Sequence, residues 1–172
     1  MTHTSVPSWD QLPWLGFDTE TTGINPHTDR LVTAALVLRE GGATATADSD
    51  VITTWLADPE VDIPDSAAQI HGITTQTAQT QGRPIREVLE ELAASLASHM
   101  GHGYPVVAFN GSFDFTLLEE ELRRHGLPTL AERLGLSEPA PIIDPLVLDR
   151  HLDRYRKGKK QLSLMASAYG VP

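Results

Sequence analysis

The side chains of this sequence best placed to do chemistry are two carboxylates two residues apart. They are Asp18 and Glu20, in Phe17-Asp18-Thr19-Glu20-Thr21-Thr22-Gly23. An apolar run (Trp14, Leu15, Phe17) leads into them and reads as the end of a buried strand. Residues i and i+2 of a strand point to one face, so the two acids lie side by side, and Gly23 turns the chain just beyond. Adjacent acids repel unless a proton or a cation separates them. With only oxygen ligands on offer, the cation to expect is hard: Mg²⁺ or Mn²⁺. Taken alone, an Asp-x-Glu pair also suits an ordinary solvated strand end.

A second stretch supplies a third acid. Val106-Val107-Ala108-Phe109-Asn110-Gly111-Ser112-Phe113-Asp114-Phe115 reads as an apolar strand running through a turn into a helix. Ser112 suits the N-cap, which leaves Asp114 in the first helical turn. An acid there favours the helix dipole, but that effect alone does not account for the residues around it.

Together the two stretches closely resemble the first and second motifs of the DEDDh 3′–5′ exonucleases, the DnaQ-like family that includes polymerase proofreading subunits. His71-Gly72-Ile73-Thr74 resembles the turn that this family carries between them. The resemblance runs from about Trp14 to the last residue. It implies a ribonuclease-H-like α/β/α three-layer fold with a five-stranded mixed sheet, its active site at the ends of the first and fourth strands. It implies two Mg²⁺ or Mn²⁺ ions, bridged by Asp18, with Glu20 on the nucleophile-side ion and Asp114 on the other. Thr21 and Thr22, through backbone amides, would meet the terminal sugar, and His71 and Ile73 would rim the base pocket. Asn110 and Phe113 shape the turn or pack beneath it. The implied reaction is 3′–5′ hydrolysis of a DNA 3′ end, single-stranded, releasing nucleoside monophosphates, with a DNA polymerase as a possible partner. RNA trimming and a catalytically silent module that docks on nucleic acid or a polymerase are the alternatives.

The third motif of that family, a His followed five residues later by an Asp, has no counterpart. His71 is followed at that distance by Gln76, His125 by Leu130 and His151 by Arg156. Leu164 to Gly170 resembles the stretch that precedes it. Asp144 resembles a structural aspartate of the family, while Asp149 and Asp153 read as solvated. Two explanations are open: a chain broken before its last catalytic helix, which is the expectation carried forward, or a natural short form that binds without cutting. Either way, the 172 residues are expected to be weakly active or inactive.

The acids need elements to hold them. Residues 1–13 read as a loose arm and 14–172 as the exonuclease domain. Strands are expected at Trp14 to Thr19, Leu31 to Leu38, Val51 to Leu56, Pro105 to Phe109 and Ile142–Ile143, the first three joined as a meander. A short helix from Ser66 through Ile70 leads to His71. Pro84 opens a long helix in which Ile85, Val88, Leu89, Leu92 and Leu96 recur at helical spacing. Further helices are expected over Phe113 to His125, ended by Gly126, over Pro145 to Arg154, and over Leu162 to Tyr169.

Composition narrows the classes. There is no cysteine, so neither a disulfide framework nor a thiolate zinc site can form. No signal peptide or membrane-length apolar run is evident, and a cytoplasmic protein is expected. The net charge of −10 argues against broad coating of duplex nucleic acid but leaves room for a grip on one strand end. Charge is uneven: Arg150, Arg154, Arg156, Lys157, Lys159 and Lys160 face only Asp153 in their segment. That segment reads either as a phosphate contact or as a solvated loop.

Overall fold

The structure is a computed structural model describing residues 8–155 and 158–171. Its centre is β1 (Trp14–Thr21), whose Leu15 and Phe17 point into the core while Asp18 stays exposed on the other face. β2 (Leu31–Arg39) pairs antiparallel with β1, and β3 (Val51–Asp58) pairs antiparallel with β2. On the other side of β1 lies β5 (Val106–Val107), parallel, followed by β6 (Ile142–Ile143), also parallel. With β4 (Arg83–Pro84) beside β3, the order is β4-β3-β2-β1-β5-β6, a six-stranded mixed sheet. The sixth strand is the one addition to the expected five. It is two residues long and contains a proline, so no alternation marks it in the sequence.

Helices lie on both faces. α3 (Ile85–Gly101) presents the expected stripe of Ile85, Val88, Leu89, Leu92 and Leu96 to the sheet, all essentially fully buried. α4 (Gly111–Arg124) packs beside it, with Phe115 meeting Phe17 edge-on at 5.3 Å. A smaller cluster covers part of the other face, where α1 (Asp65–His71) and α2 (Thr75–Gln81) place Ala67 and Ala78 against Val32 and Ile63. α5 (Leu130–Leu134), α6 (Pro145–Leu152) and α7 (Leu162–Ala168) complete the chain. No helix among the described residues is long and apolar enough to cross a membrane.

Several local expectations are corrected. α4 begins at Gly111, so Ser112 lies within it rather than capping it. Asn110 holds the cap position in the left-handed region (φ 57°), and the capping acceptor comes from elsewhere: Asp144 takes the amides of Asn110 and Gly111, each at 3.0 Å. The same carboxylate caps α6 through Leu146 N (2.9 Å), so one acid ties two helix starts together. Asp149, read as solvated, is buried. Lys160 Nζ donates to it at 2.7 Å and the Tyr169 hydroxyl at 3.0 Å, which joins α6 to α7. Part of the first thirteen residues is ordered against the domain. Trp9–Gln11 form a 3₁₀ turn, and Trp9 stacks on Trp14 at 5.7 Å.

Candidate active site

β1 and β5 pair only through Leu15–Val106 and Gly16–Val107. Beyond Gly16 the two strands part, and the C-terminal end of β1 opens beside the first turn of α4. The candidate site lies at this opening, where strand order places β1 between a neighbour from the preceding meander and one from far along the chain. Asp18 and Glu20 leave β1 on one face, as their spacing requires. Asp114 arrives from α4 and is buried, only 4 % exposed. The Thr19 hydroxyl, from the opposite face of β1, donates to Asp114 Oδ1 at 2.6 Å.

All three acids titrate above their ordinary range. Burial raises Asp114 to about 6, and the neighbouring charge of Asp18 adds to it; the Thr19 hydroxyl and the amides of Asp114 and Thr19 pull the other way. Glu20 is raised by burial and by Asp18, and drawn back by the imidazole of His71. Burial raises Asp18 as well, against the Thr19 amide. Asp18 is thus the acid that both others feel. No lysine or arginine is among the groups that shift any of the three.

The three acids share a strand end but stand apart. Among the described residues, no group of three or more His, Asp or Glu side chains is drawn together tightly enough to hold a metal ion as it stands. In chemistry the donor set nevertheless suits a hard divalent ion, being all carboxylate oxygen, desolvated and without a protein cation.

The substrate-side residues divide. His71 ends α1, and Gly72 follows in the left-handed conformation (φ 79°) that glycine adopts without strain. His71 Nδ1 accepts the Ile73 amide at 3.2 Å, so in the neutral ring the proton resides on Nε2. That Nε2 is buried without a protein partner. His71 therefore offers a donor at this position and no lone pair to take a proton. The Ile73 side chain packs on the small cluster around Val32 and Ile63.

The hydroxyls of Thr21 and Thr22 are already engaged. Thr21 Oγ1 donates to Gly23 O at 2.5 Å. Thr22 Oγ1 donates to Asp29 Oδ1 (3.2 Å) and accepts from Arg30 N (2.9 Å). These bonds fold the 22–30 loop back on itself, and a Cβ at Gly23 would meet the Asp29 carboxylate at 2.6 Å. At that loop's tip Ile24 is 93 % exposed, an apolar rim residue that no periodic pattern marks.

Of the basic segment, Arg156 and Lys157 fall outside the described residues. Lys160 is engaged by Asp149, whereas Lys159 is exposed.

A sequence model of the RNase T family, described as exonuclease, matches residues 15–172. The chain belongs to this exonuclease family. Membership accords with the DnaQ-like resemblance of the Asp18–Glu20 and Asp114 stretches. Among relatives, the exonuclease-family chain is 27 % identical over 151 residues to a DNA polymerase III of PolC type from Thermotoga petrophila. That match covers 87 % of this chain and 10 % of the relative, so the chain spans about a tenth of the polymerase's length. Its fold is similar to that of exonuclease I from Methylocaldum szegediense: TM-score 0.71 at 19 % identity, over 93 % of this chain and 36 % of the other. The zinc-ion-bound form of an E. coli exonuclease I complex with single-stranded DNA is similar in fold, at TM-score 0.63 and 20 % identity, over 85 % and 30 % of the two chains.

Proposed function

We propose that this domain is a divalent-metal-dependent 3′–5′ exonuclease acting on single-stranded DNA ends. The observation that carries the reading is that Asp18, Glu20 and Asp114 share one strand end, each is raised by desolvation, and no lysine or arginine is among the groups that shift them. Asp18 is central to the set and would bridge two ions, with Glu20 and Asp114 on either side. Two Mg²⁺ or Mn²⁺ ions there would neutralise the scissile phosphate and make a water nucleophilic. The exonuclease I fold and the polymerase III relatives favour DNA as substrate and a DNA polymerase as the source of the ends.

The chain's own residues do the positioning. The folded-back 22–30 loop keeps the Thr21 and Thr22 backbone rigid at the strand end, where the terminal sugar would sit. His71 Nε2–H provides a fixed donor beside Glu20 for a substrate oxygen. Ile24 gives a base an apolar surface. No histidine in the sequence has an acid five positions on. A positioned base is worth about 10²–10⁴-fold in rate, so these 172 residues should hydrolyse slowly.

The test uses matched 3′-blocked and unblocked DNA and RNA oligonucleotides labelled at the 5′ end, with Mn²⁺. Slow, stepwise shortening of unblocked DNA that Asp18→Asn abolishes is the expected result. Preferential shortening of RNA would reassign the substrate. Binding of DNA without shortening, unchanged by Mn²⁺, would mark a silent module.

A further inference from the structure

The acids of the first motif bracket a threonine that the exonuclease reading leaves without a role. Thr19 points from β1 away from Asp18 and Glu20, towards α4, on the face where Phe17 meets Phe115. Its hydroxyl donates to Asp114 Oδ1 across 95 residues of sequence. Its amide also contributes to the setting of both the Asp18 and the Asp114 carboxylates. Thr19 is therefore the point at which the two strand-end motifs are mechanically joined, where β1 and β5 no longer pair.

We infer that Thr19 is a positioning residue for the metal site, holding the Asp114 carboxylate by its hydroxyl in the orientation from which Asp114 would serve as a ligand. This rests on the metal-site reading above. A free aspartate in a helix's first turn can rotate about two side-chain torsions and direct either oxygen towards the helix's own amides. A short hydrogen bond from a β-branched donor, whose own χ1 is restricted, limits that freedom. Such outer contacts orient a carboxylate before the ion arrives, and removing one weakens metal binding or activity about 10–100-fold.

The experiment titrates Mn²⁺ into the 172-residue protein, unaltered and as Thr19→Val, Thr19→Ala and Thr19→Ser, by calorimetry and water-proton relaxation. Thermal melts in EDTA are run alongside. Thr19→Val keeps the branch and loses the hydroxyl, so its Mn²⁺ affinity should fall about 10–100-fold. Thr19→Ser restores the donor and should stay within about threefold of the unaltered protein. Should Thr19→Val not fold, the Ser and Ala variants, which differ by one oxygen, give the same comparison. Equal Mn²⁺ affinity in the hydroxyl-bearing and hydroxyl-free variants would overturn the assignment. Saturable binding lost with Asp18→Asn but indifferent to Thr19 would leave the metal site standing and remove only Thr19 from it. No saturable binding by the unaltered protein would take down the metal site and this inference together.

Discussion

Two sets of buried or half-buried acids stand within one sheet's reach of each other and are treated in opposite ways. Away from the strand end, four acids are engaged by donors on other elements. Glu121, fully buried, accepts from Leu31 N at 3.1 Å and is paired with Arg124. Glu119 accepts from Leu130 N and Ala131 N at the start of α5. Asp149 holds Lys160 and Tyr169, and Asp144 takes three amides. At the strand end, no lysine or arginine is among the groups that shift Asp18, Glu20 and Asp114, and the charge of Asp18 raises both others. The matched acids stabilise the fold, whereas the unmatched ones cost stability until a cation binds. Burial of an acid therefore does not by itself distinguish structure from function; what sets the strand-end acids apart is that each is raised, with the charge of Asp18 felt by both others.

The largest expected effect tests whether the unmatched set is a cation site. Mn²⁺ at about 100 times its dissociation constant should stabilise the protein by about 2.7 kcal/mol, and Asp18→Asn should abolish that gain in a thermal melt. An identical Mn²⁺-dependent gain in Asp18→Asn would place the cation elsewhere.

The next two substitutions should have opposite signs. Glu121→Gln breaks a buried pair and leaves Arg124 without its carboxylate, costing about 3 kcal/mol in urea unfolding. Asp114→Asn should instead stabilise the metal-free protein at pH 7. A folded-state pKa of about 6 against 3.8 unfolded corresponds to about 3 kcal/mol of ionisation cost, taken as an upper bound. The Asn side-chain oxygen can still accept from Thr19. The sign follows from proton uptake: between pH 3.8 and about 6 the folded state binds the proton more tightly than the unfolded state. The Asp114 contribution therefore falls as pH rises through that window and stays unfavourable above it. Destabilisation by Asp114→Asn at pH 7 in EDTA would put that acid with the matched set.

The smallest effect concerns the basic segment. Lys159→Ala should lower the salt dependence of single-strand binding by about 0.7 in log–log slope with no change in melting. Lys160→Ala should lower the melting temperature, because buried Asp149 loses the bond from Lys160, and should leave the slope unchanged. The reverse pattern would return Lys160 to the nucleic acid.

The sequence made the site's skeleton legible because its key placements are local. The i, i+2 spacing set Asp18 and Glu20 on one face, and the strand–turn–helix pattern put Asp114 in the first turn of α4. The long α3 stripe followed from its period. What stayed hidden depends on distant partners or lacks a periodic signal. Asp149 looked solvated because Lys160 and Tyr169 approach it from 11 and 20 residues downstream. The N-cap of α4 was misplaced because its acceptor, Asp144, follows the neighbouring strand β6, 34 residues downstream of Asn110. α2 is nearly all polar, with Ala78 its one buried residue, although Thr74 gave it a cap that accepts from Thr77 N. α5 is too short for periodicity to reveal, yet Thr129 and Glu132 form a capping box that was readable. The engaged hydroxyls of Thr21 and Thr22 could not be foreseen from motif wording alone.

The pairing of β1 has a kinetic consequence. Its neighbour β2 follows after a short loop, whereas β5 must come from about ninety residues away, and loop closure makes such contacts slow to form. Asp18 and Glu20 can therefore be in place while Asp114 is still remote, and the repulsion among the three acids is met only when the last strands dock. A cation that needs all three acids gains little from a half-assembled sheet. Saturating Mn²⁺ should slow unfolding several-fold and leave the refolding rate nearly unchanged. The domain would then lose its grip on the ion at the first step of opening, long before the meander comes apart.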